Sequence, residues 1–428
     1  MLKDRLHAAE TEEKTNAFGQ LEIVVTSSYG LLPVQNATIR ISVTGQPESI
    51  IDTVMTDESG QTSDIALLAP PVRYSLEPES SIRPYSEYDL MIEATGYEPA
   101  SISGTEILAE TKAIQPVRLV PLELGDEEES IVIPDHTLYG DYPPKIPEDE
   151  IKPVNESGEI VLSRVVIPEY IIVHDGVPSD KSARNHYVRY KDYIKNVVSS
   201  EVYATWPENT IYANTLVILS FTMNRVYTEW YRNKGYDFTI TSSTAFDQKW
   251  IYGRNIYENV DRIVDTIFAD YLSRPGVRQP IFTSYCDGKR ALCDGLSQWG
   301  SKYLGDEGYS PIEIIRYYYG NDMYINTSEF ISGVPSSWPG YALSIGSTGQ
   351  KVMQMQEQLN RIGQNYPLIP KVTADGIYGE NTAKAVRIFQ KIFNLPQNGI
   401  ADYATWYEIS NIFVGVSRIS EPDETESR

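Results

Sequence analysis

Cys286 and Cys293 are the only two cysteines in the chain, seven residues apart. Two cysteines do not make a disulfide framework. A structural zinc site needs four ligands, and His174 and His186 are the only histidines outside the N-terminal part. The pair reads as free thiols, with a local disulfide and a zinc site as the alternatives. The second place where side chains could do chemistry is Glu201, which ends the run Tyr190-Lys191-Asp192-Tyr193-Ile194-Lys195-Asn196-Val197-Val198-Ser199-Ser200-Glu201. Taken alone, Glu201 reads as an ordinary surface glutamate or a helix cap, and Ser297, Gln298 and Trp299 read as simple packing.

Six kinds of segment surround or position these residues. Residues 1–19 read as a disordered polar leader. From 20 to 122, short alternating runs such as Leu21-Glu22-Ile23-Val24-Val25 are separated by turn signals such as Asp57-Glu58-Ser59-Gly60, the pattern of a small β-sandwich. Residues 123–165 carry the acid run Asp126-Glu127-Glu128-Glu129 and Tyr142-Pro143-Pro144-Lys145-Ile146-Pro147. Proline and like charge predict an extended linker open to proteases. Residues 166–333 are α+β. They hold a strand at Tyr170–Val173, a long buried helix over Glu208–Tyr231 and an amphipathic helix over Asn259–Tyr271. Ser310-Pro311 caps a further helix that runs to about Tyr319. After a second linker, Gly333–Tyr341, a helical unit spans 341–415, and 416–428 is a polar tail.

Charge separates the two ends. Residues 1–165 hold 30 acids and 11 bases, and residues 166–428 hold 29 acids and 25 bases. The acidic part repels nucleic acid and anionic surfaces, which argues against a nucleic-acid partner. It reads either as a solubility feature or as a detachable piece. No segment reaches the roughly 18 consecutive apolar residues of a membrane span. Met1–Phe18 lacks the apolar stretch of a secretory signal.

Residues 346–409 resemble the three-helix peptidoglycan-binding domain of wall hydrolases. The matching residues are Gly349-Gln350-Lys351-Val352, Gln356, Leu359, Asp375-Gly376-Ile377-Tyr378-Gly379, Thr382, Ala385-Val386, Phe389-Gln390, Gly399-Ile400 and Thr405-Trp406. Val352, Met355 and Leu359 stand at helical spacing, and Asp375-Gly376 is a tight turn that needs glycine's freedom. The resemblance implies a wall partner, with Asp375, Tyr378 and Asn381 as candidate contacts to sugar or stem peptide.

Residues 186–320 resemble the stage II sporulation protein D (SpoIID) family of lytic transglycosylases and amidase enhancers. The blocks are the run ending at Glu201, Trp206-Pro207, Asp247-Gln248 with Tyr252-Gly253, and Ser297-Gln298-Trp299-Gly300-Ser301-Lys302 with Gly308-Tyr309-Ser310. By that resemblance Glu201 is the catalytic acid and Ser297, Gln298 and Trp299 line the cleft. To act near neutral pH such an acid sits among apolar neighbours that disfavour its charge, which Val197, Val198, Tyr203 and Trp206 could supply. One carboxyl suffices, because the muramic acid 6-hydroxyl replaces water, whereas hydrolases usually need two. The chain departs from the family at Ala291-Leu292-Cys293-Asp294-Gly295-Leu296, where a glycine–histidine-rich stretch is usual, and at Leu219, where an arginine is usual. Thr56–Thr62 resembles the hairpin of carboxypeptidase-regulatory-like sandwiches, which are mostly structural.

The whole layout is similar to the clostridial germination-specific spore cortex-lytic enzymes made as pre-pro-forms, through Arg83-Pro84-Tyr85-Ser86, His136-Thr137-Leu138-Tyr139-Gly140 and Pro168-Glu169-Tyr170-Ile171-Ile172-Val173-His174-Asp175-Gly176. It implies cortex peptidoglycan as partner, a spore location without a secretory signal, no cofactor or catalytic metal, and an activating, subtilisin-like protease. A non-catalytic enhancer of another hydrolase and a structural wall protein remain the alternatives.

Overall fold

The computed structural model describes residues 17–28, 30–122, 129–135, 143, 145–152 and 164–417. The leader before Ala17, the acids Asp126–Glu128 and the tail from Arg418 lie outside the described residues. The chain is a multidomain mixed α/β protein with a helical C-terminal domain.

The strand Ala17–Ser27 starts three residues inside the expected leader and alternates as its sequence requires, with Leu21, Ile23 and Val25 buried. It pairs antiparallel with Ile65–Ala69 and parallel with Lys112–Leu119. A second sheet has the order Ile50–Met55, Thr38–Val43, Tyr85–Glu93, Ala100–Leu108, Glu129–Val132. The buried faces of the two sheets share one core, with Ile39, Ile41, Leu90, Ile92 and Ile102 on the second. The first sheet does not end with the N-terminal unit. Its fourth strand is Ile256–Tyr257, pairing with Ile114 and Ala113.

The middle of the chain is built on two helices, Tyr190–Glu201 and Glu208–Tyr227. The second is buried almost all round, with Ile211, Leu216, Val217, Ile218, Leu219 and Phe221 enclosed and Asn214, Ser220, Thr222, Asn224 and Arg225 buried beside them. It stops at Tyr227 rather than Tyr231, because Glu229 takes a left-handed φ of 45° and the chain turns into a 3-10 segment, Arg232–Lys234. The helix expected to reach Tyr271 spans Glu258–Ile267, and Tyr271 lies in the strand Asp270–Ser273. The helix Pro311–Tyr319 starts as expected, with a reciprocal capping box between Ser310 and Glu313.

The C-terminal domain has three helices, Gln350–Ile362, Glu380–Ile392 and Tyr403–Ser417, so Val416 and Ser417 are helical rather than tail. One hydrogen-bond network occurs twice in it. The amide Nε2 of Gln356 donates to Asp375, to the Ile377 carbonyl and to Thr382, while its Oε1 accepts from the Gly376 N–H. Gln390 makes the same set with Asn398, the Ile400 carbonyl, Thr405 and the Gly399 N–H. Each glutamine fixes a turn whose glycine sits at φ near +70°.

Buried charges fasten this domain to the middle one. Lys191 pairs with Asp265 (2.9 Å) and with Glu408 of the C-terminal domain. Lys195 pairs with Asp261 (2.6 Å) and Asp265 (3.0 Å). Asn394 donates to Asp261 (2.7 Å).

The expectation of an open, extended linker over 123–165 is corrected where the chain is described. Residues 129–132 are a sheet strand. Residues 145–152 form a strap bound to the middle domain. Arg225 grips Glu148 with two bonds of 2.7 Å, and Arg274 grips Glu150. The Lys152 backbone exchanges two hydrogen bonds with Gln279, and the Phe282 N–H donates to the Glu150 carbonyl. Long-range ion pairs, which leave no trace in local composition, outweigh the tendency of proline and like charge to keep the segment free.

Candidate active site

Glu201 is the last residue of its helix, and Val202 after it is extended. The helix end therefore delivers the carboxyl into the middle domain, where it is buried. Its carboxylate is held by polar groups that the local sequence does not announce. Oε1 accepts from the Lys249 backbone N–H (2.8 Å) and the Tyr285 hydroxyl (3.1 Å). Oε2 accepts from Gln298 Nε2 (3.0 Å), which also donates to the Glu201 carbonyl (2.8 Å). Three donors thus converge on one carboxylate from three separate parts of the chain.

Each donor is held from behind. Lys249 follows Asp247-Gln248, and these two residues are anchors. Asp247 is fully buried. Its Oδ1 takes Arg225 Nε (2.7 Å), and its Oδ2 takes the Tyr231 hydroxyl (2.6 Å) and the Thr241 N–H and hydroxyl (2.9 and 2.7 Å). Gln248 accepts from Tyr193 (3.1 Å) and Thr222 (2.8 Å). Just beyond, Asn196 on the Glu201 helix exchanges two bonds with the Ile251 backbone (2.7 and 3.0 Å). The loop carrying the Lys249 N–H is thus latched to the helix carrying the carboxylate.

Tyr285 belongs to a two-residue parallel bridge, Tyr285–Cys286 against Leu296–Ser297. The loop between the two strands is closed by a Cys286–Cys293 disulfide. This corrects the free-thiol reading, and with both sulfurs bonded to each other neither can be a thiolate ligand for zinc. Inside the loop the Asp287 carboxylate accepts from the N–H groups of Lys289, Arg290 and Ala291. Gly288 has φ +76°, and a Cβ there would stand 1.8 Å from Ser297 Oγ, so only glycine fits. Burial, and then the Glu201 charge, push the Tyr285 hydroxyl far above its ordinary range. It stays a donor at any working pH.

Ser297 caps the helix Gln298–Asp306 by accepting from the Gly300 N–H (2.9 Å). Its role here is to start the helix that presents Gln298. Trp299 packs on Trp206 (4.8 Å) and Tyr203 (6.2 Å). The Trp206 indole N–H donates to the Ser75 carbonyl of the N-terminal unit (2.8 Å), so this aromatic group is covered. Of the sequence candidates, Glu201 and Gln298 meet, Ser297 and Trp299 flank them, and Asp375 and Tyr378 lie in a different domain.

Those last two have structural partners. Tyr378 is buried and donates to the Gly399 carbonyl (2.9 Å). Asp375 accepts from the Ile377 N–H (2.9 Å) and Gln356. Asn381 is exposed. Sequence reasoning missed Tyr285 and the Lys249 N–H. The adjacency of Tyr285 to Cys286 was the only available signal. It also missed Lys145. Its ammonium lies 4.0 Å from the centroid of the Tyr285 ring and donates to the Asp247 carbonyl (2.8 Å). Burial, opposed by the charges of Glu201 and Asp247, pushes Lys145 down to about 8. Among the described residues no three His, Cys, Asp or Glu side chains are grouped as metal ligands, and no helix is long and apolar enough to cross a membrane.

No curated protein matches the chain. Among solved structures it is similar to the SleB N-terminal domain, at 26% identity over 18% of this chain and 97% of that one, with a TM-score of 0.16. It is also similar to Klebsiella pneumoniae 5-hydroxyisourate hydrolase, at 14% identity over 24% and 90%, with a TM-score of 0.16. A third is catechol 1,2-dioxygenase from Acinetobacter sp. ADP1, at 13% identity over 28% and 60%, with a TM-score of 0.18. Scores this low carry no functional argument. Residues 348–409 match the peptidoglycan binding domain family, and with three helices built around the duplicated glutamine network, the C-terminal part of this chain is a peptidoglycan-binding domain.

Proposed function

We propose that the chain is a lytic transglycosylase of spore cortex peptidoglycan, made as a zymogen and used in germination. The observation that carries the reading is one buried carboxyl, Glu201, held by Lys249 N–H, Tyr285 and Gln298 in a chain that also carries a peptidoglycan-binding domain. The SpoIID-like text around Glu201 supports the reaction type, and the sandwich-like N-terminal unit supports a pro-domain.

In this reading Glu201 gives its proton to the glycosidic oxygen between MurNAc and GlcNAc, then takes the proton of the muramic 6-hydroxyl as that oxygen closes on the anomeric carbon. The proton balance is zero over the cycle, so no second carboxylate is needed. Gln298 is the only side chain holding Oε2 in the hydrogen bonds described, which makes Oε2 the oxygen for the transferable proton. Three preset donors then receive the charge when the proton leaves.

Muropeptides ending in 1,6-anhydromuramic acid are the expected products, read by mass spectrometry on cortex fragments. Products with only free reducing ends would sink this reaction. Glu201→Gln keeps size and removes the acid, so turnover should vanish while wall binding persists. A second reading, a non-catalytic enhancer, is favoured by the same saturation of Glu201 by donors, which also suits a purely structural carboxylate. No glycan cleavage by the natural chain alone, together with faster cleavage by a separate wall hydrolase in its presence, would select it, whereas full turnover in Glu201→Gln would exclude Glu201 as the acid.

A further inference from the structure

We propose that Lys145 is a positioning residue of the Glu201 site and that residues 145–152 belong to the catalytic unit rather than to a linker. This rests on the reading of Glu201 as the acid.

The argument starts with Tyr285. Its hydroxyl donates to Glu201, and the Lys145 ammonium stands over the face of the same ring, 4.0 Å from its centroid. A cation over a phenol ring draws on its electron density. The hydroxyl becomes a stronger donor to the carboxylate. Lys145 thus acts on Glu201 through Tyr285, and it is held in place by the Asp247 carbonyl, the same residue whose loop supplies the Lys249 N–H. The charged groups facing Lys145 are Glu201, Asp247, Glu148 and Arg225. Three are acids, and they offset part of the burial that disfavours the ammonium.

The rest of the strap fixes that ammonium. Arg225 is fully buried and has two acids, Asp247 on one side and Glu148 of the strap on the other. Without the strap, half of its compensation is gone. Lys152 lies over the Phe282 and Trp230 rings at 4.0 and 4.5 Å and pairs with Glu148. Glu150 engages Arg274. A free linker has no reason to satisfy buried arginine. The unit that carries Glu201 therefore begins at or before Lys145, and a chain starting near Val166 lacks part of its own site.

Two measurements on the full chain test this. The first is limited trypsin digestion under native conditions. The Lys145–Ile146 bond should be cut at least tenfold more slowly than the bond after Lys181, which is exposed. Glu148→Gln should bring the Lys145 cut up toward the Lys181 rate without changing the latter. Equal rates in the natural chain would overturn the strap. The second is glycan cleavage, measured after whatever processing the chain needs for turnover. Lys145→Gln should lose roughly tenfold, within the range of one desolvated cation–π contact. Lys145→Arg should restore it and hold its rate above pH 8, where the natural ammonium discharges. Lys145→Gln with an unchanged rate and profile would overturn the positioning role. A natural chain that cuts no glycan in any processed state overturns both the Glu201 reading and the role of Lys145. The strap itself is then still judged by trypsin.

Discussion

Tyr285→Phe isolates one of the three donors that hold Glu201. The ring keeps its neighbours, Phe221 at 6.2 Å and the Lys145 ammonium at 4.0 Å, and only the hydroxyl is lost. A hydrogen bond to a charged acceptor contributes about 1.5–3 kcal/mol and one to a neutral acceptor about 0.5–1.5 kcal/mol. With the proton on Oε2, Oε1 accepts from Tyr285 in both states of the carboxyl, so what the variant loses as the charge forms is the excess, about 1–1.5 kcal/mol. At about 1.4 kcal/mol per tenfold, the maximal rate should drop roughly five- to tenfold, because the charge formed in the transition state loses one of its preset donors. The assay is release of soluble muropeptides from purified cortex, with thermal unfolding run in parallel to show that the fold is intact. An unchanged rate in a folded variant would refute the claim that Tyr285 stabilises the Glu201 carboxylate.

Asp261 sits in the charge cluster beneath the C-terminal domain, and burial, partly offset by Lys195, pushes it up to about 6 from an ordinary 3.8. A raised carboxyl contributes stability below pH about 4 and loses it as pH rises through about 6, by up to about 3 kcal/mol. Asp265 is shifted the other way and acts below its ordinary 3.8, outside that window. The natural chain should therefore lose Tm between pH 4 and 6.5, and Asp261→Asn should lose much less; parallel curves would contradict this account. The Cys286–Cys293 bond closes a short loop whose loss should cost about 2–3 kcal/mol on chain-entropy grounds and should loosen Tyr285, the residue before Cys286. Cys293→Ser, or reduction of the natural chain, should lower both Tm and turnover. If reduction changes neither, the loop is held by the Asp287 turn alone.

The parts of the chain that were legible in sequence are those whose signal is local. The helices of the C-terminal domain follow the spacing of Val352, Met355 and Leu359 and of Val386 and Phe389, all buried. The N-cap and first-turn proline at Ser310-Pro311 and the strand at Tyr170 were equally plain. Glu201 was singled out by its matching context, but the groups that hold its carboxylate were not. The flanking valines and Trp206 are buried, yet the groups that reach the carboxylate lie 48, 84 and 97 positions away. No periodicity connects them. The strap failed for the same reason. Proline and acid content describe residues 145–152 correctly as a sequence with no core of its own, while Arg225 and Arg274 supply what it lacks from 77 and 124 positions away.

The same long-range contacts bear on how the chain would open if, as proposed, it is a zymogen. The N-terminal unit shares its first sheet with Ile256–Tyr257 of the middle domain. Beside this seam Arg254 pairs with Glu106 at 2.8 Å, both almost wholly buried, and Asn255 exchanges two bonds with the Glu106 backbone. Removing one member of such a pair costs about 3–5 kcal/mol, because the other charge stays buried alone. A single cut between residues 123 and 144 severs the chain and leaves every one of these contacts in place. The nicked N-terminal part should accordingly remain bound on size exclusion, even at about 0.5 M salt, where surface attraction is largely screened. Glu106→Gln should let it go, and the cut should raise glycan cleavage more in that variant than in the natural chain. The covered Trp206, whose indole N–H is satisfied by the Ser75 carbonyl, would then face solvent and report the release by its fluorescence. Free separation of the natural nicked chain at low salt would show that the seam is weak, and that cleavage alone suffices to open the Glu201 site.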